Sequence, residues 1–353
     1  MVLYLSREQI LALAHIVLLV SCAAAIYLAC EWFVNAIEWL GVRLNMGTLA
    51  IGTVLAAIGT ALPESVVTLV AVTMGNSPLS KDIGVGAAMG GPLVLATIAY
   101  GVTGWMLIRR KRILSKTSED NARYIKGDLL EEVDLSRLPT DQKWFLSIFI
   151  VKVSLGLVAF AFKPWCGLLF FAAYGVYFFK EMRADAEAHS SADLEPLKLQ
   201  PSRETPAGWA VLVQTIVTLG IIFGASQLFV TQLEWAGPEL GLSASVTALL
   251  LSPIATELPE VMNAIIWVKQ GKTSLAFANI SGAMMIQATV PSGLGILFTP
   301  WHFDGPLAYS GVITIIGILY LLWLMRTHRF TSSRLAMSAG FYGIFALGLV
   351  LIA

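Results

Sequence analysis

Apolar residues along the chain are gathered into long runs divided by short polar stretches. A membrane-spanning helix needs ~20 predominantly apolar residues, with a range of about 17–25. On that ruler the pattern predicts ten spans, near 9–30, 47–75, 83–108, 144–162, 165–181, 208–232, 242–269, 273–299, 306–325 and 334–353. Only Lys163-Pro164 separates the fourth from the fifth. The third and eighth are rich in glycine and other small residues, which lets helices approach closely. The first run, from Gln9 to Cys30, is longer than the apolar part of a signal peptide and lacks a strongly basic flank. Further spans follow it, so it is read as a retained helix.

Composition agrees with this pattern. Of 353 residues 57% are hydrophobic and 13% charged, where soluble proteins carry about 25% charged residues. The expectation is an all-α, multi-pass membrane protein. Formal net charge is zero, and in a membrane the placement of charge matters more than its sum. With loops alternating sides, nineteen of the Lys and Arg residues fall on one side, nine of them between Arg109 and Lys143. The other side has only Arg7, Lys81 and Lys163, and Lys152 lies within the fourth span. Positive charge stays inside, which predicts a cell-membrane protein with both termini outside and loops 109–143 and 182–207 cytoplasmic. Removing one span would scramble the asymmetry. Cys22, Cys30 and Cys166 lie in or beside apolar runs with no metal or disulfide spacing, and are read as small packing residues.

The loop 109–143 opens with Arg-Arg-Lys-Arg and continues as mixed charge. It reads as an orientation signal and a solvated loop, with an anionic-lipid contact as the sharper alternative. The stretch 182–207 is polar, contains prolines, and sits near the middle of the chain. It is expected to link a five-helix half, 1–181, to a second, 208–353.

Each half carries a Thr-x-Leu-Pro-Glu element inside an apolar run: Thr60 to Glu64, and Thr256 to Glu260. An ionisable residue there costs about 2.5–3.5 kcal/mol on insertion scales and marks a functional site by default. Pro63 and Pro259 remove backbone donors, breaking the helix and freeing carbonyls to face a cavity or an ion. Downstream of each lies a short polar turn, Gly75-Asn76-Ser77-Pro78 or Gln270-Gly271-Lys272-Thr273, and then a glycine-rich or small-residue helix. Five spans per half is an odd number, so the halves must be inverted. Inverted repeats with interrupted helices near the midplane are an architecture of secondary transporters, with the site at the repeat interface.

A hard divalent cation such as calcium takes six to eight oxygens. Glu64 and Glu260 can supply two carboxylates from opposite sides of the pseudo-two-fold axis, neutralising the ion, and they are the expected metal ligands. Thr60 and Thr256 lie one turn before them on the same faces. Empty, the two carboxylates repel each other and favour protons or monovalent cations, a physical basis for exchange. Glu257 has Ala61 as its counterpart; it is a third site carboxylate, a proton carrier, or a residue turned to the cytoplasmic mouth. Asn279 and Gln287 are neutral ligands or interhelix packing residues, and Ser252 and Ser281 are weaker candidates. Lys152 either pairs with a carboxylate or snorkels to the interface, and snorkelling is expected; His15 is expected to be a packed or interfacial residue rather than a proton relay.

At these residues the sequence resembles the sodium/calcium exchanger superfamily of calcium/cation antiporters. The likeness is specific over about 52–98 and 246–292 and extends over the chain in topology. It implies ten helices in two inverted halves, with Glu64 and Glu260 as central cation-binding glutamates and Thr60 and Thr256 as adjacent oxygen donors. The departures are informative. Ala61 and Glu257 replace the family serine, and Ala87, Gly91 and Leu95 stand at polar positions of the first repeat. In the second, Asn279 is kept, Ala283 replaces serine, and Gln287 stands where an acid or amide is expected. An added glutamate beside fewer neutral oxygens leans toward proton coupling. The expectation is antiport of Ca2+, or a related divalent cation, for H+ or Na+, with no cofactor beyond the transported cations. The expected partners are inorganic cations and the bilayer, not nucleic acid. A monovalent cation/H+ antiporter is the alternative. A membrane-embedded enzyme is more distant: no Lys or Arg clamp adjoins either Pro-Glu element, and no two histidines have metalloprotease spacing.

Overall fold

The computed structural model describes residues 7–47, 50–73, 78–117, 127–131, 133–184, 194–239, 250, 253 and 256–352. They fold into helices joined by short turns. The helices are α1 (Arg7–Arg43), α2 (Ala57–Thr73), α3 (Pro78–Val94), α4 (Tyr100–Thr117), α5 (Leu138–Leu157), α6 (Cys166–Ala184), α7 (Gly208–Glu239), α8 (Leu258–Gln270), α9 (Thr273–Phe298), α10 (Gly305–Arg326), α11 (Ser332–Ala336) and α12 (Ala339–Ile352). A π-helical segment, Ile51–Ala56, leads directly into α2, and another, Leu95–Ala99, joins α3 to α4. Wide turns of this kind collect at functional sites. With α3–α4 and α11–α12 each counted as one rod, the described helices form ten rods, one for each expected span.

Six helical stretches among the described residues are long and apolar enough to cross a membrane. The lipid-facing surface is legible from exposure. Leu11, Ile16, Val17, Val20 and Leu28 on α1, and Trp209, Leu212, Ile216 and Val217 on α7, are exposed apolar side chains. The first helices of the two halves, α1 and α7, pack along each other, and His15 Nδ1 lies 2.7 Å from Gln232 Oε1 while its ring stacks on Trp235. That histidine is packed, as expected. At 37 residues, α1 is about 55 Å long at 1.5 Å per residue, so it runs beyond the predicted span.

The centre of the protein is α9. It contacts α2, α3, α5, α6 and α8, and nearly all of its residues are buried. The turn before it follows the sequence: Gly271, at φ 88°, adopts a left-handed conformation, and the N–H groups of Gly271 and Lys272 donate to Val268 and Trp267 carbonyls. This is the common glycine ending of a helix. Glu38 on α1 pins the junction by pairing with Lys272 and accepting from Trp267 Nε1 at 3.0 Å.

Three expectations need correction. Pro63 does not break its helix: α2 continues across it, and the irregularity lies upstream in the π-helical turn. The side chains of Pro63 and Glu64 lie outside the described residues, as do Ser252 and most of the seventh span before Thr256. Loop 109–143 is docked in part rather than solvated throughout: residues 127–130 pack against α11, while Arg112, Lys116, Glu131 and Ser136 are exposed. Asp128 accepts from the Ser332 N–H and hydroxyl at 2.9 and 2.6 Å, and Leu130 is buried. Lys152 does not snorkel; it is fully buried. That turn of α5 faces other helices, so the Lys152 ammonium is satisfied internally, on the Ala88 carbonyl and the Ser292 hydroxyl.

The end of the linker is also ordered against helices. Residues 194–207 lie over the α1–α7 junction, where Asn35 and Trp39 donate to the Glu195 carbonyl. Lys198 pairs with Glu31, and Gln214 of α7 donates to Asn35 Oδ1 and accepts from the Leu199 N–H. Leu197 is buried among Ala36, Trp39, Ala210 and Val211.

Candidate cation site

The site forms where each glycine-rich helix crosses the Pro-Glu region of the other half. A Cβ at Gly91 of α3 would sit 2.6 Å from both Glu257 Oε1 and Gln287 Oε1, and one at Gly90 would sit 2.4 Å from Pro253. In the opposite half, a Cβ at Gly282 of α9 would lie 2.2 Å from the Thr53 carbonyl oxygen. The crossings are thus related as an inverted repeat requires. At each, hydrogen in place of a side chain lets helix backbone or a carboxylate approach directly.

Glu257 stands just before α8 and is fully buried. Gln287, buried on α9, donates its Nε2–H groups to both Glu257 oxygens at 2.7 Å. The two residues expected to be a third carboxylate and a neutral ligand are therefore one hydrogen-bonded unit. Glu260 is buried in the first turn of α8, where helix N–H groups favour negative charge. Cys30 of α1 makes a weak contact to the Pro259 carbonyl at 3.9 Å, bringing α1 against the same turn.

The threonines are less directly engaged. Thr60 is buried and donates to the Ala56 carbonyl at 3.1 Å; Thr256 is half-buried and donates to Pro253 at 3.3 Å. Each keeps oxygen lone pairs for a further partner. Asn279 is fully buried, and neither end of its amide has a hydrogen-bond partner among the described residues. The same holds for Asn263, one turn beyond Glu260, which the sequence reading missed. A buried amide left unsatisfied costs about 1–3 kcal/mol per group, so two such amides within the second repeat, 246–292, fit a polar ligand better than an apolar core. The signal for Asn263 was its i+3 spacing from Glu260, which places both on one side of α8. Ser281 is not with them. Its hydroxyl belongs to a buried group with Tyr100 OH at 3.3 Å and Gln142 Nε2 at 3.2 Å. Among the described residues no three His, Cys, Asp or Glu side chains converge; the Glu64 side chain lies outside them.

A small cavity lined by Thr53, Ala278 and Ser281 opens beside Asp134, Arg137 and Asp141 at the start of α5. Burial and the nearby Glu181 carboxylate push the Asp141 carboxyl up to about 8, against the lowering effect of Arg137 and Lys180. Arg137 itself pairs with Glu181 at 3.5 Å.

The model of the sodium/calcium exchanger protein family matches residues 14–180 and 210–353, on both sides of the linker. The chain belongs to the sodium/calcium exchanger family. Among curated proteins it is 26% identical over 326 residues to inner membrane protein YrbG of Escherichia coli, covering 89% of each chain. It is 24% identical over 296 residues to the putative antiporter CaxA of Alkalimonas amylolytica, covering 83% of each. The fold matches that of the sodium-calcium exchanger NCX_Mj soaked with 2.5 mM Na+ and 0.1 mM Ca2+, with a TM-score of 0.71 and 19% identity over 96% of this chain and 99% of that one. The architecture is accordingly the ten-helix inverted repeat, and the family is one of multi-pass membrane exchangers of inorganic cations.

Proposed function

We propose that the protein exchanges Ca2+, or a related divalent cation, for protons by alternating access. Glu64 and Glu260 hold the cation, aided by Thr60, Thr256, Asn263 and Asn279. The observation that carries the proton half is the buried Glu257–Gln287 pair. A primary amide offers two donors on one side and a carbonyl acceptor on the other. Gln287 can therefore hold an ionised Glu257 through an NH2 group oriented as in this structure, and by rotating half a turn can accept from a protonated one. Both protonation states of a buried carboxyl then keep a partner, which a proton carrier in a low-dielectric site needs. In this reading both termini face outside, loops 109–143 and 182–207 are cytoplasmic, and the cation reaches the site past Asp141. The α1–α7 pair then slides to expose it on the other side.

The test is calcium-45 uptake into proteoliposomes under a proton gradient or a sodium gradient, with Glu257→Gln and Glu260→Gln as variants. A proton gradient alone should drive uptake, Glu257→Gln should uncouple it from pH, and Glu260→Gln should abolish it. Uptake that requires sodium would replace the proton half of the reading. No calcium movement under either gradient would leave a monovalent cation/H+ exchanger.

A further inference from the structure

Lys152 is the charged residue that this mechanism leaves unused. Its side chain is fully buried in the C-terminal half of α5, and no ion pair of its ammonium occurs among the described residues. Its Nζ donates to the Ala88 carbonyl at 2.8 Å and to Ser292 Oγ at 3.0 Å, and lies 4.6 Å from the Phe149 ring centroid. Trp301 Nε1 holds the backbone there by donating to the Lys152 carbonyl at 3.0 Å.

The oxygens around this ammonium have a specific origin. Pro92 lies four residues after Ala88 within α3, and Pro291 lies four residues after Gln287 within α9. Proline has no N–H, so each leaves the carbonyl four residues before it without a helix partner. Lys152 takes the first of these freed carbonyls. Ser292 takes the second, donating to the Gln287 carbonyl at 3.1 Å while it accepts from Lys152. The ammonium thus sits between proline-containing helices of the two halves, linked through Ser292 to the backbone of the residue that holds Glu257. Backbone carbonyls released from helix hydrogen bonding are groups that transporters use to coordinate monovalent cations, and a hydroxyl adds a further oxygen.

We propose that Lys152 is a resident cation, its ammonium filling a monovalent-cation position beside the exchange site that would otherwise have to be occupied from solution. A lysine ammonium is a compact point charge with three donors, and tethering it to α5 keeps that charge in place through the cycle. The inference extends the exchange reading by reducing the number of free monovalent ions each turnover needs, yet its binding test does not depend on calcium transport.

The test is thermal unfolding of the purified protein in sodium, potassium or choline chloride at equal ionic strength. A ligand that binds only the folded state raises its stability with the logarithm of ligand concentration. Lys152→Ser opens the ammonium position and supplies a hydroxyl; Lys152→Met fills it without charge. Lys152→Ser should gain a rise in unfolding midpoint in sodium or potassium over choline, in excess of any rise in the parent protein, and Lys152→Met should not. A Lys152→Ser protein recovered folded only in sodium or potassium supports the proposal equally. A folded Lys152→Ser with no excess response overturns it, as does one unfolded in all three salts. In proton-driven calcium uptake, Lys152→Ser should acquire a sodium or potassium requirement absent from the parent. A parent protein that moves no calcium refutes the proposed exchange, while the unfolding measurement still decides this assignment.

Discussion

Adding one methyl group at Gly91 tests the site most sharply. In Gly91→Ala the new Cβ lies 2.6 Å from Glu257 Oε1 and from Gln287 Oε1, where ordinary contact begins at 3.4 Å. The atoms it meets are the far ends of side chains, so they can retreat while the helices stay in place. A retreat of roughly 0.8 Å would stretch hydrogen bonds now at 2.7 Å past the range in which such bonds count. Overpacking of this size costs about 1–3 kcal/mol. The protein should therefore remain folded, with a modestly lower unfolding midpoint, while Glu257 loses its bonds to Gln287. Gly282→Ala is the control for the opposite case. There the Cβ meets the Thr53 backbone carbonyl at 2.2 Å, which cannot retreat without moving the π-helical turn, so folding itself should suffer more. The assay pairs thermal unfolding with the pH dependence of calcium-45 uptake. Gly91→Ala should lose the pH dependence while keeping most of its stability. If Gly91→Ala transports with an unchanged pH profile, the Glu257–Gln287 pair is not the proton site.

Other outcomes follow from the same geometry. Glu64→Gln and Glu260→Gln should each abolish exchange with little change in unfolding midpoint; normal transport by both would remove them from the site. Asn263→Leu and Asn279→Leu replace amides that lack partners among the described residues. Each should be neutral or stabilising by up to about 1–3 kcal/mol and should weaken calcium-dependent protection against unfolding. A large loss of stability without calcium would show instead that these amides are structural. Asp141 has a folded-state pKa raised from 3.8 to about 8, so between those values the folded state binds more protons than the unfolded one. Its contribution to stability is full below about pH 4 and is lost as pH rises through 8. Unfolding midpoints from pH 5 to 9 should fall less steeply in Asp141→Asn than in the parent.

Much of the fold was legible because a bilayer imposes a length on every span, and ten apolar runs met it. The paired Thr-x-Leu-Pro-Glu elements and the Gln270–Thr273 turn were visible as well, since prolines and glycines act locally on the backbone. What the sequence hid was direction. In a run as uniformly apolar as 144–157, no polar face reveals which way Lys152 points, and the carbonyl that receives it is freed by a proline on another helix. The Glu257–Gln287 bond was hidden for a related reason: it depends on Gly91, a glycine that drew notice only as a lost polar residue. Pro63 misled in the other direction, because a helix can run through a proline when an irregular turn upstream absorbs the strain.

The strap of residues 194–207 has a mechanical consequence. Its bonds go to Glu31, Asn35 and Trp39 on one rod and to Gln214 on the other, fastening the C-terminal part of α1 to the start of α7. Two helices clamped at one end and packed along their length cannot travel separately. In the proposed alternating-access cycle the pair would therefore move as a single sled with one degree of freedom, so that one side of the membrane closes in the same stroke that opens the other.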